Sequence, residues 1–309
     1  MSGLQLACYL AVVFFVVVVA AKMIRIARMP IHIRWDLYPI PHEKGRNSYG
    51  GSYFEEIDWW TKPTQVSKIS ELKEMAKEIV FIQSVFHHNK PLWVFSFPFH
   101  FGMYCLVGFT VMVILGAILS AAGVEIAAGS TGALAVAVHY LTVILGAAGF
   151  ILGALGGIGL LFSRMSGDLR KASVRSDYAN LVFLLAVFVS AIVTWSTVDP
   201  DFALLRGLVQ SLITIQPAGP IPTALAVQVW LMVALLFYFP FTHMSHMFGK
   251  YFTYHKIRWE DHPNIRGGKI EKQVEEALGY KITWGAPHIK SGGSWAEACT
   301  DWTEDDKNE

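Results

Sequence analysis

Four histidines stand in long apolar stretches of the sequence. They are His100, His139, His243 and His246. An ionisable side chain within the hydrocarbon of a membrane costs several kcal/mol unless it is paired, so each of these residues is a candidate functional site. No Lys, Arg, Asp or Glu interrupts the same stretches. This pattern argues against a proton pump or ion carrier built on carboxylates, and it favours neutral imidazole as a metal ligand.

The elements that must hold these histidines are transmembrane helices. Hydrophobic residues make up 53% of the 309-residue chain and charged residues 16%, and the mean hydropathy is +0.41. A helix needs about 20 consecutive apolar residues to cross the hydrocarbon layer. Five uncharged stretches are long enough: residues 4–21, and the stretches between Lys90 and Glu125, Glu125 and Arg164, Asp177 and Asp199, and Arg206 and Lys250. The sequence therefore predicts an all-α membrane protein, a bundle of five transmembrane helices, the fifth beginning near Thr223 after a Pro/Gly-rich segment.

Basic residues indicate how the bundle is oriented, because short loops rich in Lys and Arg stay in the cytoplasm. They cluster after the first, third and fifth stretches, whereas the two predicted outer loops share a single basic residue. The clusters are Lys22, Arg25, Arg28 and Arg34; Arg164, Arg170, Lys171 and Arg175; and Lys250, Lys256 and Arg258. We expect a multi-pass protein of the cytoplasmic (cell inner) membrane, with the N-terminus outside, the C-terminus in the cytoplasm, and the first helix retained as an anchor rather than cleaved.

The chain divides on this basis into four regions. Residues 1–21 form the first transmembrane helix, 22–90 a cytoplasmic loop, 91–250 a four-helix membrane core that carries the four histidines, and 251–309 a cytoplasmic tail. Within the loop, apolar residues recur at helical spacing over residues 64–89, which predicts an amphipathic helix on the inner membrane surface. The tail is polar, contains Trp and is too short for a large core of its own, so we expect it to dock a partner.

Depth in the membrane decides which histidines could share one metal ion. At a rise of 1.5 Å per residue, His100 lies about 10 Å inside the cytoplasmic edge. His243 and His246 lie about 10 Å and about 6 Å from the same edge if the fifth helix continues to Lys250. His139 lies about 9 Å from the opposite edge. His100 could thus pair with His243 or His246 as the two axial ligands of a haem iron, and His139 could not join them.

Other interpretations of these residues stay open. His139 could simply hydrogen-bond to a neighbouring helix, and whichever of His243 and His246 does not bind iron could contact a haem propionate or a quinone. Six glycines of the third helix either make room for a macrocycle or allow close helix packing. They are Gly146, Gly149, Gly153, Gly156, Gly157 and Gly159.

The three cysteines restrict the cofactor type. Cys8, Cys105 and Cys299 form no C-x-x-C pair and no C-x-x-C-H motif. Covalent attachment of a c-type haem needs the second pattern, and an iron–sulfur cluster held by this chain alone needs four thiolates or an equivalent set. We therefore expect neither a covalent c-type haem nor an iron–sulfur cluster held by this chain.

Two motifs that contain these histidines resemble the gamma (cytochrome b) subunit of respiratory nitrate reductase and its relatives. The sequence F-H-F-G at residues 99–102 is similar to that family's motif early in helix two, and P-F-T-H-M-S-H-M-F at residues 240–248 to the motif that closes helix five. The resemblance covers roughly residues 91 to 250. It implies haem b with His100 and His246 as its axial ligands on the cytoplasmic side.

The resemblance also bears on the number of haems. The family's second haem uses two further histidines, and at the matching positions this chain has Thr110 and Gln228. One haem is therefore expected. A second one, to which His139 would contribute a ligand at the outer side, is an open alternative, with Met112 as a conceivable partner.

The tail carries a second resemblance. Residues 282–288 and the run G-G-S-W-A-E at 292–297 are similar to tails of relatives that accompany heterodisulfide-reductase-like iron–sulfur subunits in transmembrane redox complexes, typically of sulfate-reducing organisms. This implies menaquinone as substrate, a cytoplasmic iron–sulfur subunit of that kind as partner, and a periplasmic multihaem cytochrome c as a further partner.

Together these observations predict a b-type cytochrome that serves anaerobic respiration as the electron-transfer or quinone-reactive subunit of an oxidoreductase complex. Its contacts would be with lipid, quinone and protein subunits, and not with nucleic acid. Two rival functions are a haem-free membrane anchor and a secondary transporter. A transporter is disfavoured because five unrepeated helices without a buried carboxylate lack the paired repeats and midplane polar site of that class.

Overall fold

A computed structural model describes residues 2–29, 41, 43, 45–46, 49, 51–63, 66–255, 259, 261–286, 289 and 291–300. Three basic residues of the orientation argument, Arg34, Lys256 and Arg258, lie outside these ranges, as does His288 of the tail motif. Over the described ranges the elements are helices and 3-10 turns. Extended segments pair there only as isolated bridges, such as that between Glu43 and Val66. The predicted all-α class is therefore confirmed.

The helices differ widely in length. In order they are α1 Gly3–Ala27, α2 Lys68–Phe81, α3 Gln83–His88, α4 Lys90–Ala121, α5 Ala133–Met165, α6 Gly167–Ala172, α7 Arg175–Thr197, α8 Ala203–Ile213, α9 Thr223–Tyr238, α10 His246–Thr253, α11 Lys269–Leu278 and α12 Trp295–Thr300. Five helices of the described chain, α1, α4, α5, α7 and α9 with its 3-10 extension to Phe241, are long and apolar enough to cross a membrane. The protein is a multi-pass membrane bundle, as predicted.

The chain forms two compact units. The first unit comprises Met1–Val19 and Glu74–Ser245, and the second comprises Ala20–Lys73 and His246–Glu309. The first unit contains α4, α5, α7, α8 and α9 together with most of α1. Residues 22–73 of the predicted loop thus belong to one unit with the tail, although the two are far apart in sequence.

Close contact between α4 and α5 organises the first unit. A Cβ added to Gly156 would lie 2.4 Å from the backbone N of Phe99, and one on Gly102 would lie 2.6 Å from the backbone N of Gly153. Only glycine allows two helix backbones to approach so closely. Of the two interpretations of the α5 glycines, close helix packing therefore holds at these contacts.

An aromatic cluster joins further helices to this pair. The Phe109 ring lies 5.5 Å from that of Phe150 and 4.7 Å from that of Phe202, both edge-on. Phe202 immediately precedes α8, so the cluster fixes that short helix against α4. The first helix joins through Gln5, whose Nε2 donates to Ser211 Oγ at 3.0 Å. Burying this amide is tolerable because it is hydrogen-bonded.

The fifth span ends earlier than the sequence predicted. Its α-helix stops at Tyr238 and is followed by 3-10 turns at Phe239–Phe241 and His243–Ser245, before α10 begins at His246. Pro240 lacks the N–H that a continuing helix needs, and Thr242 is extended, with its hydroxyl accepting from Met244 N at 3.2 Å. The prediction of a continuous helix to Lys250 is therefore wrong.

This break changes the location of two candidate ligands. His243 and His246 lie beyond the span, which ends at Phe241. The depths of about 10 Å and about 6 Å assumed 1.5 Å per residue back from Lys250, so they no longer apply. His100 and His139 do lie within spans, in α4 and α5.

The predicted amphipathic helix forms as two helices. Ile82 adopts left-handed backbone angles (φ 50°) and separates α2 from α3. In α2 the side chains of Ile69 and Leu72 are 70% and 69% exposed. Apolar side chains left this exposed on a polar helix suit a membrane surface, although the location of the helix stays a prediction.

The tail motif has a local structural role. Ser294 Oγ accepts from Glu297 N at 3.2 Å, and the Glu297 carboxylate accepts from Ser294 N at 2.7 Å. These reciprocal bonds form a capping box at the start of α12. Hydrogen bonds to the Glu297 carboxylate from the backbone N–H and then from the side chain of Ser294 hold the pKa of that carboxyl below its usual value. The S-W-A-E part of the motif is thus explained by helix capping.

Candidate functional site

His100 is held in a defined tautomer by its own helix. Its Nδ1 lies 2.7 Å from the Ser96 carbonyl oxygen and 3.3 Å from Ser96 Oγ. A carbonyl oxygen can only accept, so Nδ1 carries the proton, and in the neutral ring the lone pair lies on Nε2. Metal-ligating histidines in proteins are oriented by this kind of Nδ1 hydrogen bond.

The position of His100 is fixed by its neighbour Phe99. The Phe99 backbone packs against Gly156 of α5, and its ring meets that of Phe188 of α7 edge-on at 6.2 Å. The helix turn that carries His100 therefore cannot shift without moving two other spans. This rigidity is what a cofactor ligand requires.

His243 has a different environment, with competing neighbours. Its Nδ1 lies 3.4 Å from Asn180 Nδ2 and 3.6 Å from Asp177 Oδ1. Asn180 Oδ1 accepts from the Tyr238 hydroxyl at 2.7 Å, which turns the amide N–H groups toward His243. The amide favours a lone pair on Nδ1, whereas the carboxylate favours a proton there. These contacts do not select one tautomer of His243.

His246 is the first residue of α10 and is exposed. It belongs to the second unit, whereas His100 and His243 belong to the first. The pairing of His100 with His246 as axial ligands stays a prediction.

His139 lies at the opposite end of the α4–α5 pair. The two helices run antiparallel, since Phe99 packs on Gly156 and Gly116 lies beside Val138. His139 is therefore level with the part of α4 near Gly116, some 15 residues or roughly 22 Å along the axis from His100. His139 is only 4% exposed, its Nε2 lies 3.8 Å from Asp201 Oδ1, and its buried Nδ1 has no hydrogen-bond partner.

Arg206 is a functional candidate, although its place in the sequence is typical of a loop charge. It lies on α8 and is 7% exposed. Its Nη2 donates to the Ile126 carbonyl at 2.9 Å, while its buried Nη1 has no hydrogen-bond partner. Burial lowers the pKa of Arg206, and the nearby carboxylates of Asp199 and Asp201 partly oppose that shift.

Arg206 also lines an open cavity of about 400 Å³ together with Glu125 and Gln210. The carboxylate of Asp199 accepts from the N–H groups of Leu204 and Leu205 at 3.0 Å and 2.9 Å, which starts α8 and fixes Arg206 in place. The sequence itself contains an indication of this buried arginine, because Arg206 follows two acidic residues within an otherwise apolar segment.

Within the described ranges, no group of three or more His, Cys, Asp or Glu side chains could hold a metal ion. A haem iron needs only axial ligands from the protein, because the macrocycle supplies the others. Isolated histidines such as His100 are therefore the relevant ligand type.

Comparison of the chain with protein-family models, with curated protein sequences and with solved structures finds no match. The functional interpretation therefore rests on the residues of this chain.

Proposed function

We propose that this chain is a b-type cytochrome, the membrane subunit of a respiratory redox complex, and that it relays electrons between menaquinone and a cytoplasmic iron–sulfur subunit. The observation that supports this most strongly is His100, an imidazole within a membrane span whose Nδ1–H is bonded to the Ser96 carbonyl. The exposed His88 makes the same contact with the carbonyl four residues earlier, so the location of His100 within an apolar span is what makes it a ligand candidate.

The chain's donor set fits a haem. His100 would provide one axial nitrogen, Nε2, and His246 the other, with His243 as the alternative. The resemblance of residues 240–248 to the nitrate reductase gamma motif favours His246. His243 Nδ1 contacts the Asn180 amide and the Asp177 carboxylate, so His243 is kept as the alternative ligand.

A bound haem b would supply one-electron transfer, with its potential set by the axial imidazoles and by burial. The chain's own residues would orient the imidazole, exclude water and keep the His100 side chain in place. Ser96 fixes the rotation and tautomer of His100, and the Gly156 contact keeps α4 against α5 at that level. These contacts keep the ligand in one geometry in both oxidation states, which favours fast electron transfer.

A single haem is the stoichiometry that we propose. His139 Nε2 faces the Asp201 carboxylate at 3.8 Å, and a carboxylate favours a proton on the nitrogen that faces it. That distance is too long for a hydrogen bond, and the single haem rests on the resemblance, because Thr110 and Gln228 stand where the family's second haem has histidines. The partners proposed for the complex are a heterodisulfide-reductase-like iron–sulfur subunit in the cytoplasm and a periplasmic multihaem cytochrome c.

The proposal is tested by the visible spectrum of the purified full-length chain in detergent. We expect a reduced-minus-oxidised spectrum of low-spin haem b in the native chain, and its loss in both His100→Ala and His246→Ala. The matched control is His88→Ala, which removes an exposed histidine outside the spans and should leave the spectrum intact. An unchanged spectrum in both ligand variants would contradict the assignment, and a colourless native chain would identify a haem-free anchor instead.

A further inference from the structure

The second unit contains a cavity that the proposed haem ligands do not use. Its volume is about 450 Å³, which falls within the range of about 300–1,000 Å³ usual for small-molecule sites. Three indole side chains form much of its wall, those of Trp59, Trp60 and Trp259, and the polar part includes His255 and Glu71. All of these residues belong to the second unit.

One wall of the cavity is a short turn that presents two adjacent indoles. Asp58 adopts left-handed angles (φ 57°), which Asp tolerates better than most residues. The 3-10 turn Trp59–Thr61 follows and is closed by Lys62 N donating to Trp59 O at 3.2 Å. The Trp59 ring is held edge-on by Phe54 at 4.3 Å, while the Trp60 side chain is 53% exposed. Trp60 can therefore stack on a ligand without losing core contacts.

A second part of the wall includes His255 and Trp259, which follow α10 in the sequence. The His255 ring stacks on that of Tyr251 at 4.0 Å and meets the ring of Trp259 edge-on at 5.4 Å. Trp259 is buried, and its backbone N–H donates to the Tyr254 carbonyl at 2.7 Å. This wall is aromatic and rigid, so it suits a flat ring better than a flexible chain.

His255 and Glu71 form a pair that holds an exchangeable proton. His255 Nδ1 donates to the Tyr251 carbonyl at 2.8 Å, so Nδ1 is protonated. His255 Nε2 contacts Glu71 Oε1, and that contact also needs a proton between nitrogen and oxygen. The pair is therefore either imidazolium with carboxylate or imidazole with carboxylic acid. In both forms one proton can be passed to an acceptor in the cavity and regained from water.

The charged groups of the described lining bear on the kind of ligand. Lys62 lines the cavity, but its Nζ is paired with Glu56 Oε2 at 2.7 Å. Glu71, Asp261 and His262 belong to the same lining. Recognition of a nucleotide would need cations or N–H groups directed at its phosphates, and Lys62, the one Lys or Arg among the described lining residues, is already paired. A planar, uncharged ring with a carbonyl acceptor fits the aromatic walls and the proton-holding pair.

We infer that this cavity binds the headgroup of the membrane quinone, stacked on Trp60 with one carbonyl oxygen hydrogen-bonded to the His255–Glu71 pair. The identity of the ligand as a quinone rests on the proposed function. Reduction of a quinone to a quinol takes two electrons and two protons. A bound haem b would supply the electrons one at a time. The pair gives one proton to the bound carbonyl oxygen and is reprotonated from water, and the second proton also comes from water.

The test is a binding titration on the full-length chain in detergent, with 2-methyl-1,4-naphthoquinone as the probe and quenching of Trp fluorescence as the signal. Trp60→Ala is expected to raise Kd about 3- to 10-fold, because stacked aromatic pairs contribute that much beyond burial. Trp284→Ala is the matched control. Trp284 is 47% exposed in the same unit and does not line the cavity, so its Kd should equal that of the native chain.

A second variant, Glu71→Gln, keeps the side-chain size but removes the shared proton. We expect the Kd of Glu71→Gln for the naphthoquinone to rise several-fold. Because Trp60 is intact in this variant, misfolding caused by the loss of Trp60 cannot explain the weaker binding of both variants. Native affinity in both variants, or no saturable binding by the native chain, would overturn the inference.

The haem content of each sample separates the two proposals. A haem-free chain that binds the naphthoquinone through Trp60 would contradict the proposed function and leave the cavity assignment intact. A haem-loaded chain whose Kd does not respond to Trp60 or Glu71 would overturn the cavity assignment alone.

Discussion

The two ends of the α4–α5 pair each hold a histidine in a membrane span, yet the two side chains have different hydrogen-bond environments. At one end, His100 has its Nδ1 satisfied by the Ser96 carbonyl and its helix fixed against Gly156. At the other end, His139 faces Asp201 through Nε2 and has a buried Nδ1 with no hydrogen-bond partner. The residue type is the same at both ends, and the hydrogen bonds distinguish them.

The surrounding polar groups follow the same division. The Tyr238 hydroxyl, the Asn180 amide and His243 form a short hydrogen-bonded series between α7 and the end of the fifth span. Around His139 the polar groups are charged, with Arg206 buried beside Asp199 and Asp201. The first series consists mainly of neutral groups, although His243 Nδ1 also faces the Asp177 carboxylate at 3.6 Å. The charged set, with unsatisfied nitrogens, suits electrostatic attachment of α8.

The largest expected effect comes from breaking the helix contact beneath His100. In Gly156→Ala the new Cβ would lie 2.4 Å from Phe99 N, so the backbones must separate, and we expect a loss of about 1–3 kcal/mol or more. The readout is the midpoint temperature at which a thiol-reactive fluorophore labels Cys105, which is buried in α4. The control, Gly207→Ala near the other end, meets no atom within 4 Å and should label at the native temperature or higher.

A smaller effect is expected from the amide that links Tyr238 to His243. Asn180→Ala leaves the Tyr238 hydroxyl without this acceptor, which should cost about 1–2 kcal/mol. Tyr238→Phe removes the donor instead and should cost less, because no hydroxyl is left unpaired. The same Cys105 labelling assay ranks the two variants, and a reversed order would mean that Asn180 acts mainly through other contacts.

The smallest effects concern the His139 end. Asp199→Ala removes the carboxylate that accepts from Leu204 and Leu205 at the start of α8, and loss of such a cap costs about 1 kcal/mol. Asp201→Ala should change stability by less than about 0.5 kcal/mol, because its side chain is 64% exposed and exposed ion pairs contribute little. Equal destabilisation by both variants in thermal melts would show that the His139–Asp201 pair carries more energy than its exposure suggests.

The five spans could be predicted because hydropathy is a local property of the sequence. The packing of the α5 glycines could not, since the choice between macrocycle space and helix contact depends on which residues of α4 face them. Helix contact becomes evident for Gly156 and Gly153 only in the folded structure, where Phe99 and Gly102 lie opposite them.

The end of the fifth span shows a second limit of the sequence. The chain has a proline within α4, Pro98, and another at Pro240, and only the second ends its helix. Around Pro98 the packing of Phe99 on Gly156 holds the helix together, whereas Thr242 supplies an alternative cap just after Pro240. Proline alone therefore did not reveal that His243 and His246 follow the span.

Arg206 was missed for a related reason. A single arginine between two spans is typical of a loop, and its burial depends on Phe202 and Gly116, which come from separate segments. Short apolar helices such as α8 carry too few residues for hydropathy alone to identify them.

The most direct measurement is the haem-to-protein ratio of the native, His100→Ala and His139→Ala chains by the pyridine haemochrome assay. We predict one haem b per chain in the native protein and in His139→Ala, and none in His100→Ala. Loss of haem from His139→Ala with retention in His100→Ala, or a native chain without haem, would contradict the assignment of the ligand to the His100 end.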